Sequence, residues 1–311
     1  MNLETKKLLK ALILLSLLSS LIFSTLQYTQ ATYFGNPQDQ ITAPLIIHEP
    51  IEIRNNNNFS DYSLPGAGTT GDPYRIENYN ITTLNTVGIL VIDTTDYFII
   101  QNCYIDASFT AIGINNVTSG TGEISDVTCK ENDFWAVVII ESSRIYIHNC
   151  IIEDNIDDFG LGIYLVESTE ITVYNNTCNN NNYGLVAENT NSSVISYNTF
   201  SGNVEYGVHL SVDPNENIVH HNKFINNKGG AVMQARDDGI NNIWYDEASK
   251  EGNYWDNWND PDSVVPIGGT AGSEDIYPLD ENLTREINLF FVPVVIALVI
   301  VVFRKRIKRS N

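Results

Sequence analysis

The groups in this chain best suited to acid–base chemistry stand far apart in sequence: Glu188, His209, Arg236, Asp237 and Asp238, with Gln234 among them. Hydrolysis of a glycoside needs two carboxylates set across the scissile bond, one of them protonated. Elimination from a uronate needs a general base, usually Arg or Lys, beside acids that hold calcium. Arg236 with Asp237 and Asp238 is the one basic-plus-acidic cluster in the stretch, and an ordinary charged turn is the favoured account of it. Neither constellation is complete, which leans away from an enzyme. Copper asks for clustered His, Cys or Met, and the chain has His 5, Cys 4 and Met 2. His220 and His221 are consecutive, so on a strand they would face opposite ways, and His148 stands three repeats away, roughly 14 Å. No ligand set forms and no metal or other cofactor is implied, although an acidic exterior could collect calcium.

What must position such residues is a repeat. Apolar residues running into Asn and then a bulky or sulfur residue recur as Ile99–Tyr104, Ile145–Ile151, Ile171–Cys178, Val194–Phe200 and Ile218–Phe224, with a fainter copy at Ile124–Cys129. Between them a small residue opens an alternating apolar run, as in Gly88-Ile-Leu-Val-Ile, Gly162-Ile-Tyr-Leu-Val and Gly207-Val-His-Leu. The period is about 22 to 27 residues, a solenoid spacing. Period-2 runs of Val, Ile, Thr and Tyr abound and no long 3.6-residue pattern interrupts them. The expected fold is all-β: a right-handed single-stranded parallel β-helix of about seven coils with terminal caps. Asn tolerates a left-handed backbone at a tight turn, and stacked amides bond one another from coil to coil. Asn102, Asn149, Asn176, Asn198 and Asn222 are therefore expected to form one structural ladder. Cys103 and Cys150 fall in equivalent places two coils apart, roughly 9.6 Å, beyond the reach of a disulfide. Buried free thiols in a stacking column are the expectation for the four cysteines, with a Cys129–Cys150 bridge as the alternative.

The ends speak of place. Lys6, Lys7 and Lys10 precede an apolar Ala11–Phe23, so 1–31 reads as a signal peptide or signal anchor. The apolar 287–303 reads as a single membrane span of about 25 Å, followed by a basic cytoplasmic tail, 304–311. Between lie an N-terminal cap and first coil (32–80), the repeats (81–245), a C-terminal cap (246–281) and a linker (282–286). The formal net charge is -21, and eight of the seventeen basic residues sit in the two terminal segments. Such a body, expected outside the cell and tethered to its membrane, excludes nucleic acid as a partner.

The stretch Gly66-Ala-Gly-Thr-Thr-Gly-Asp-Pro-Tyr-Arg-Ile-Glu-Asn78 resembles the motif that opens the first coil in the NosD-like, or CASH-domain, β-helix proteins of the pectin-lyase-like superfamily. Gly252-Asn-Tyr-Trp255 is similar to the motif that closes them, and Ser273–Pro278 is a looser match to their ending. The resemblance spans most of Ile51–Leu279 and implies fold and location better than activity. It implies that the outer face of the strand after each small residue is the substrate groove. Alternation puts Ile89, Val91, Ala231 and Met233 among the inward residues. Leu90, Ile92, Val138, Ile140, Tyr164, Val166, Glu188, His209, Gln234 and Arg236 then fall outside. A solvated face should be polar, so its apolar half asks for a cover: a terminal arm, the loop near Asp154–Phe159, a glycan stacked on Tyr164, or a surface protein. The expected function is a non-catalytic surface module binding glycan or a surface partner. The alternative is a polysaccharide lyase or glycoside hydrolase, and the third is copper delivery.

Overall fold

A computed structural model describes residues 44–280, except 85, 119, 157–159, 231–232 and 261–262. The apolar segments expected at 1–31 and 287–303, the basic tail, Asp157, Asp158 and Ala231 lie outside the described residues. Among those described, no helix is long and apolar enough to cross a membrane.

The strands coil into a right-handed parallel solenoid of about seven turns, with almost no helix. Three parallel sheets form its walls, of nine, eight and seven strands among the described residues. Each coil supplies one short strand to each sheet, and a strand pairs with its equivalent one coil on, so Trp135–Ile140 lies between Thr110–Asn115 and Leu161–Val166. Right-handed crossovers are the rule for parallel strands because each strand's twist feeds the next turn that way.

Alternation within each strand sends every second residue into the cylinder. One inward column of the nine-stranded sheet reads Ile81, Ile105, Cys129, Ile152, Cys178, Phe200, Phe224 and Trp255. Every member is buried, each contributing about 1.5–3 kcal/mol where the side chain is large. The column widens toward its C-terminal end, where Phe200 and Phe224 stack at 5.5 Å and Phe224 and Trp255 at 4.1 Å. The opposite end is closed by the short helix Asn58–Asp61, whose Phe59 stacks on Tyr74 at 4.4 Å. All four cysteines are buried free thiols.

Two expectations about register need correction. The Asn residues do not form one ladder. Pairing of Tyr174 with His148 aligns Asn149 with Asn175, not with Asn176. Asn102 and Asn149 thus belong to an outer column of left-handed residues (Asn78, Asn102, Asp126, Asn149, Asn175, Tyr197, His221), with Asn102 Nδ2 donating to Asn78 Oδ1 at 2.7 Å. Asn176, Asn198 and Asn222 occupy the next position, fully buried, where earlier coils carry Cys103, Val127 and Cys150. A second buried ladder, Asn132, Asn155, Asn181, Asn203 and Asn227, runs down another turn. The last coil is also displaced. Val208 pairs with Ala235, because more residues separate the strands Lys223–Ile225 and Ala235–Asp237 than separate their equivalents in earlier coils, so Ala235 and Asp237 point inward. Met233, expected inside, is 42% exposed, and Gln234, expected outside, is buried.

The closing motif follows from these ladders. Each side-chain oxygen accepts from the coil before it, so the final donors need an acceptor that asks for nothing back. Asn253 ends the first ladder and donates from its backbone N (2.7 Å) and Nδ2 (3.3 Å) to Asp275 Oδ2. Trp255 Nε1 donates to the same oxygen at 2.9 Å. A Cβ at Gly252 would stand 1.8 Å from Asp275 Oδ1, so the position admits only glycine. Gln234 Oε1 ends the second ladder, accepting from Asn227.

Candidate functional site

Three outward columns cover the eight-stranded sheet. The first runs Trp135, Leu161, Tyr183 and continues to Tyr206, whose ring lies 6.3 Å from that of Tyr183. The second runs Leu90, Gly113, Val138, Tyr164, Val186, His209, Arg236, and the third Ile92, Asn115, Ile140, Val166, Glu188, Ser211. Leu90, Ile92, Val138, Ile140, Tyr164 and Val166 all face outward on this sheet. Val138 is only 5% exposed, since Leu90 and Val138 close over the side-chain gap left by Gly113. The remainder of the strip is half-buried.

Aromatic rings line one border of the face. Phe109 and Phe134 meet at 4.7 Å, Trp135 and Tyr164 at 5.4 Å, and Tyr183 and His209 at 5.9 Å. Tyr164 Oη donates to Glu188 Oε2 at 2.7 Å, which holds the ring upright, and burial followed by this carboxylate raises its phenol pKa.

The face ends in an ionic cluster. Arg236 Nε and a terminal nitrogen donate to Asp238 at 2.5 and 3.1 Å, a bidentate pair. His209 Nε2 lies 3.1 Å from the same carboxylate. The Arg236 guanidinium holds Asp238 well below the usual carboxylate range. Burial pulls the His209 imidazole pKa down against the upward influence of Asp238. Lys228, on the short turn Asn227–Gly230, donates from Nζ to Tyr206 Oη at 2.6 Å and sits 4.0 Å from the ring centre. The Arg236 guanidinium lies near enough to act electrostatically on the same phenol. Burial alone would raise the Tyr206 pKa, yet the two cations outweigh it and the net direction is down.

Of the sequence candidates, Glu188, His209, Arg236 and Asp238 therefore share this face. Asp237 does not. Its inward register buries it completely, and Gly239 N, Asn242 Nδ2, Trp244 Nε1 and Ser273 Oγ all donate to it within 3.0 Å. It is the acceptor that closes the core. Gln234 likewise serves a ladder. Tyr206, Lys228, Tyr183 and Trp135 were not singled out from the sequence. A signal was there for three of them: an aromatic stands immediately before the small residue in Trp135-Ala136, Tyr183-Gly184 and Tyr206-Gly207.

The donor sets do not fit a copper centre. His220 and His221 do meet, contrary to the strand expectation, because His221 is left-handed (φ 56°). Their Nδ1 atoms approach to 2.5 Å and His221 Nε2 lies 2.7 Å from Glu251, so each ring is engaged by another protein group. The thiols are sealed in the core, with burial pushing Cys103 and Cys150 up to about 12. Among the described residues no group of three or more His, Cys, Asp or Glu could hold a metal ion.

Solved structures with similar coils include the Dettilon tailspike protein (12% identity, TM-score 0.44), with 68% of this chain covering 42% of that one. The A-module of the mannuronan C-5 epimerase AlgE4 of Azotobacter vinelandii is another (12% identity, TM-score 0.42), with 66% of each chain covered. This chain thus spans less than half of the tailspike and just under two thirds of the epimerase module. No curated protein matches it. A family model does, over residues 67–260, more than half of the 311 residues, from the opening motif through the closing one. The chain therefore belongs to the family described as "Periplasmic copper-binding protein (NosD)".

Proposed function

We propose that this chain is an exported, membrane-tethered β-helix whose eight-stranded face binds a glycan laid along the coil axis. The observation that carries the reading is the row of half-buried aromatic and aliphatic side chains facing outward where a solvated sheet would be polar. Coils stacked roughly 4.8 Å apart present these rings at about the length of one sugar unit. Tyr164, held by Glu188, is the central platform, flanked by Trp135 and Tyr183. The family's periplasmic description agrees with a body outside the cytoplasm. Its copper has no matching donor set among the described residues, and copper takes no part in the reading.

The test is retention of the full chain on immobilised neutral and acidic polysaccharides. Tyr164→Ala should weaken retention while leaving the melting transition cooperative. Retention unaffected by Tyr164→Ala and Trp135→Ala, or absent on every polymer, would sink the reading and leave the strip to a surface protein.

A second reading, a carbohydrate-active enzyme on the same face, is favoured by one observation: the contact of Tyr206 with Lys228, on the same face as His209 and Arg236.

A further inference from the structure

Resting on the glycan reading above, we propose that the C-terminal end of the face is a β-elimination site for 4-linked uronates, with Tyr206 as its acid–base group. The cluster combines the parts such a reaction needs. Arg236 and Lys228 are each more than a third exposed at the side chain, so a substrate carboxylate meets them from solvent. Lys228 also reaches the Tyr206 oxygen, at 2.6 Å, and Arg236 acts on it electrostatically. Tyr206 itself is 9% exposed, because Lys228 lies across its ring. A carboxylate that draws Lys228 to itself uncovers the phenol beside the carbon carrying that carboxylate.

The step balances without a co-reactant. With the carboxylate neutralised by Arg236 and Lys228, the Tyr206 phenolate takes the proton from C5. The C5–H electron pair forms the C4=C5 double bond, and the C4–O4 bond breaks with its pair going to O4. The phenol, now protonated, returns that proton to O4, which leaves as the new reducing end of the neighbouring sugar. Tyr206 is restored as phenolate. The Lys228 hydrogen bond favours the ionised phenol in the resting site, and its withdrawal to the substrate carboxylate leaves a more basic phenolate for the first proton transfer.

Hydrolysis fits the cluster poorly. A glycosidase needs one carboxyl that keeps its proton for the leaving group. Asp238 is paired to Arg236 and stays ionised to well below the usual range, Glu188 accepts from Tyr164, and Asp237 is sealed in the core. Elimination asks for none of them to be an acid. Asp238 instead aims the guanidinium.

The experiment incubates the full chain with polygalacturonate, polymannuronate and polyguluronate, with a neutral glucan as control. Ultraviolet absorbance of the unsaturated uronate is followed, and retention is measured on the same polymers. The expected result is product from a polyuronate, none from the glucan, and a fall of at least about 100-fold in rate for Tyr206→Phe with retention kept. Lys228→Met, at an exposed position, guards against loss of fold, and should lower the rate at least about 10-fold. Retention without product would overturn this inference and leave glycan binding intact. Product undiminished by Tyr206→Phe would overturn the role of Tyr206. Neither retention nor product would remove both readings together.

Discussion

At the residue scale, the two kinds of asparagine make different contributions, and mutation separates them. Asn198 accepts from Asn176 through Oδ1 and donates through Nδ2 to Val173, Ser196 and Asn222, all in the dry interior. Asn198→Ala strands several buried groups and should destabilise by about 3 kcal/mol or more in urea unfolding. Asn102→Ala, at a half-exposed left-handed turn, should cost about 1 kcal/mol, chiefly the backbone preference. Asp237 belongs with the first kind. Asp237→Asn replaces an acceptor of four donors by a group that must itself donate, and should lower stability by about 2–4 kcal/mol while folded protein keeps its glycan retention. The cysteines add a pH dependence. Burial raises Cys103 and Cys150 from 9.0 to about 12, so between those values the folded chain binds more protons than the unfolded one. Stability contributed by these thiols is present below pH 9 and falls as pH rises from about 9 toward 12. Denaturation curves across that range check the sign, and thiol reagents should label the native chain only after unfolding.

At the element scale, the long stretch between the strands Lys223–Ile225 and Ala235–Asp237 is what turns a regular coil into a site. It postpones the strand Ala235–Asp237, leaving Gln234 free to finish a ladder and Lys228 placed on Tyr206. The loop holds left-handed residues at Lys228, Gly229 and Gly230, a conformation that costs an ordinary side chain such as Lys228 about 1–2 kcal/mol. Replacing Lys228 by Gly should therefore leave stability unchanged or raised, measured by thermal melting, since the strain relieved offsets the lost ammonium contact.

At the scale of the whole molecule, each coil touches only its neighbours, so stability is a sum of coil-to-coil interfaces. The first strand, Ile46–Ile47, leaves both side chains exposed, whereas the C-terminal end is plugged by Phe224, Trp244 and Trp255 and tied to Asp275. Hydrogen exchange should be slowest in the middle coils, around Leu161–Val166 and Tyr183–Glu188, and should advance from the N-terminal edge sooner than from the plugged end. Uniform protection along the coils would contradict this.

Much of this architecture was legible in the residues alone. The period, the alternation in strands such as Ile89–Ile92 and Ile163–Leu165, the sealed thiols and both capping motifs are local patterns, and burial of one face per strand leaves them a single solution. Register between coils was not local. Asn175 and Asn176 are adjacent, and only the pairing of Tyr174 with His148 decides which of them enters the core. The site is less local still. Tyr206 meets Lys228 across 22 residues and His209 meets Asp238 across 29, through coils of unequal length. Sequence by itself determined the solenoid and its ends, because hydrophobic burial acts on short-range pattern. Tertiary structure decided which charged side chains share the groove, because in a stacked coil neighbours are set by how each loop returns to the sheet.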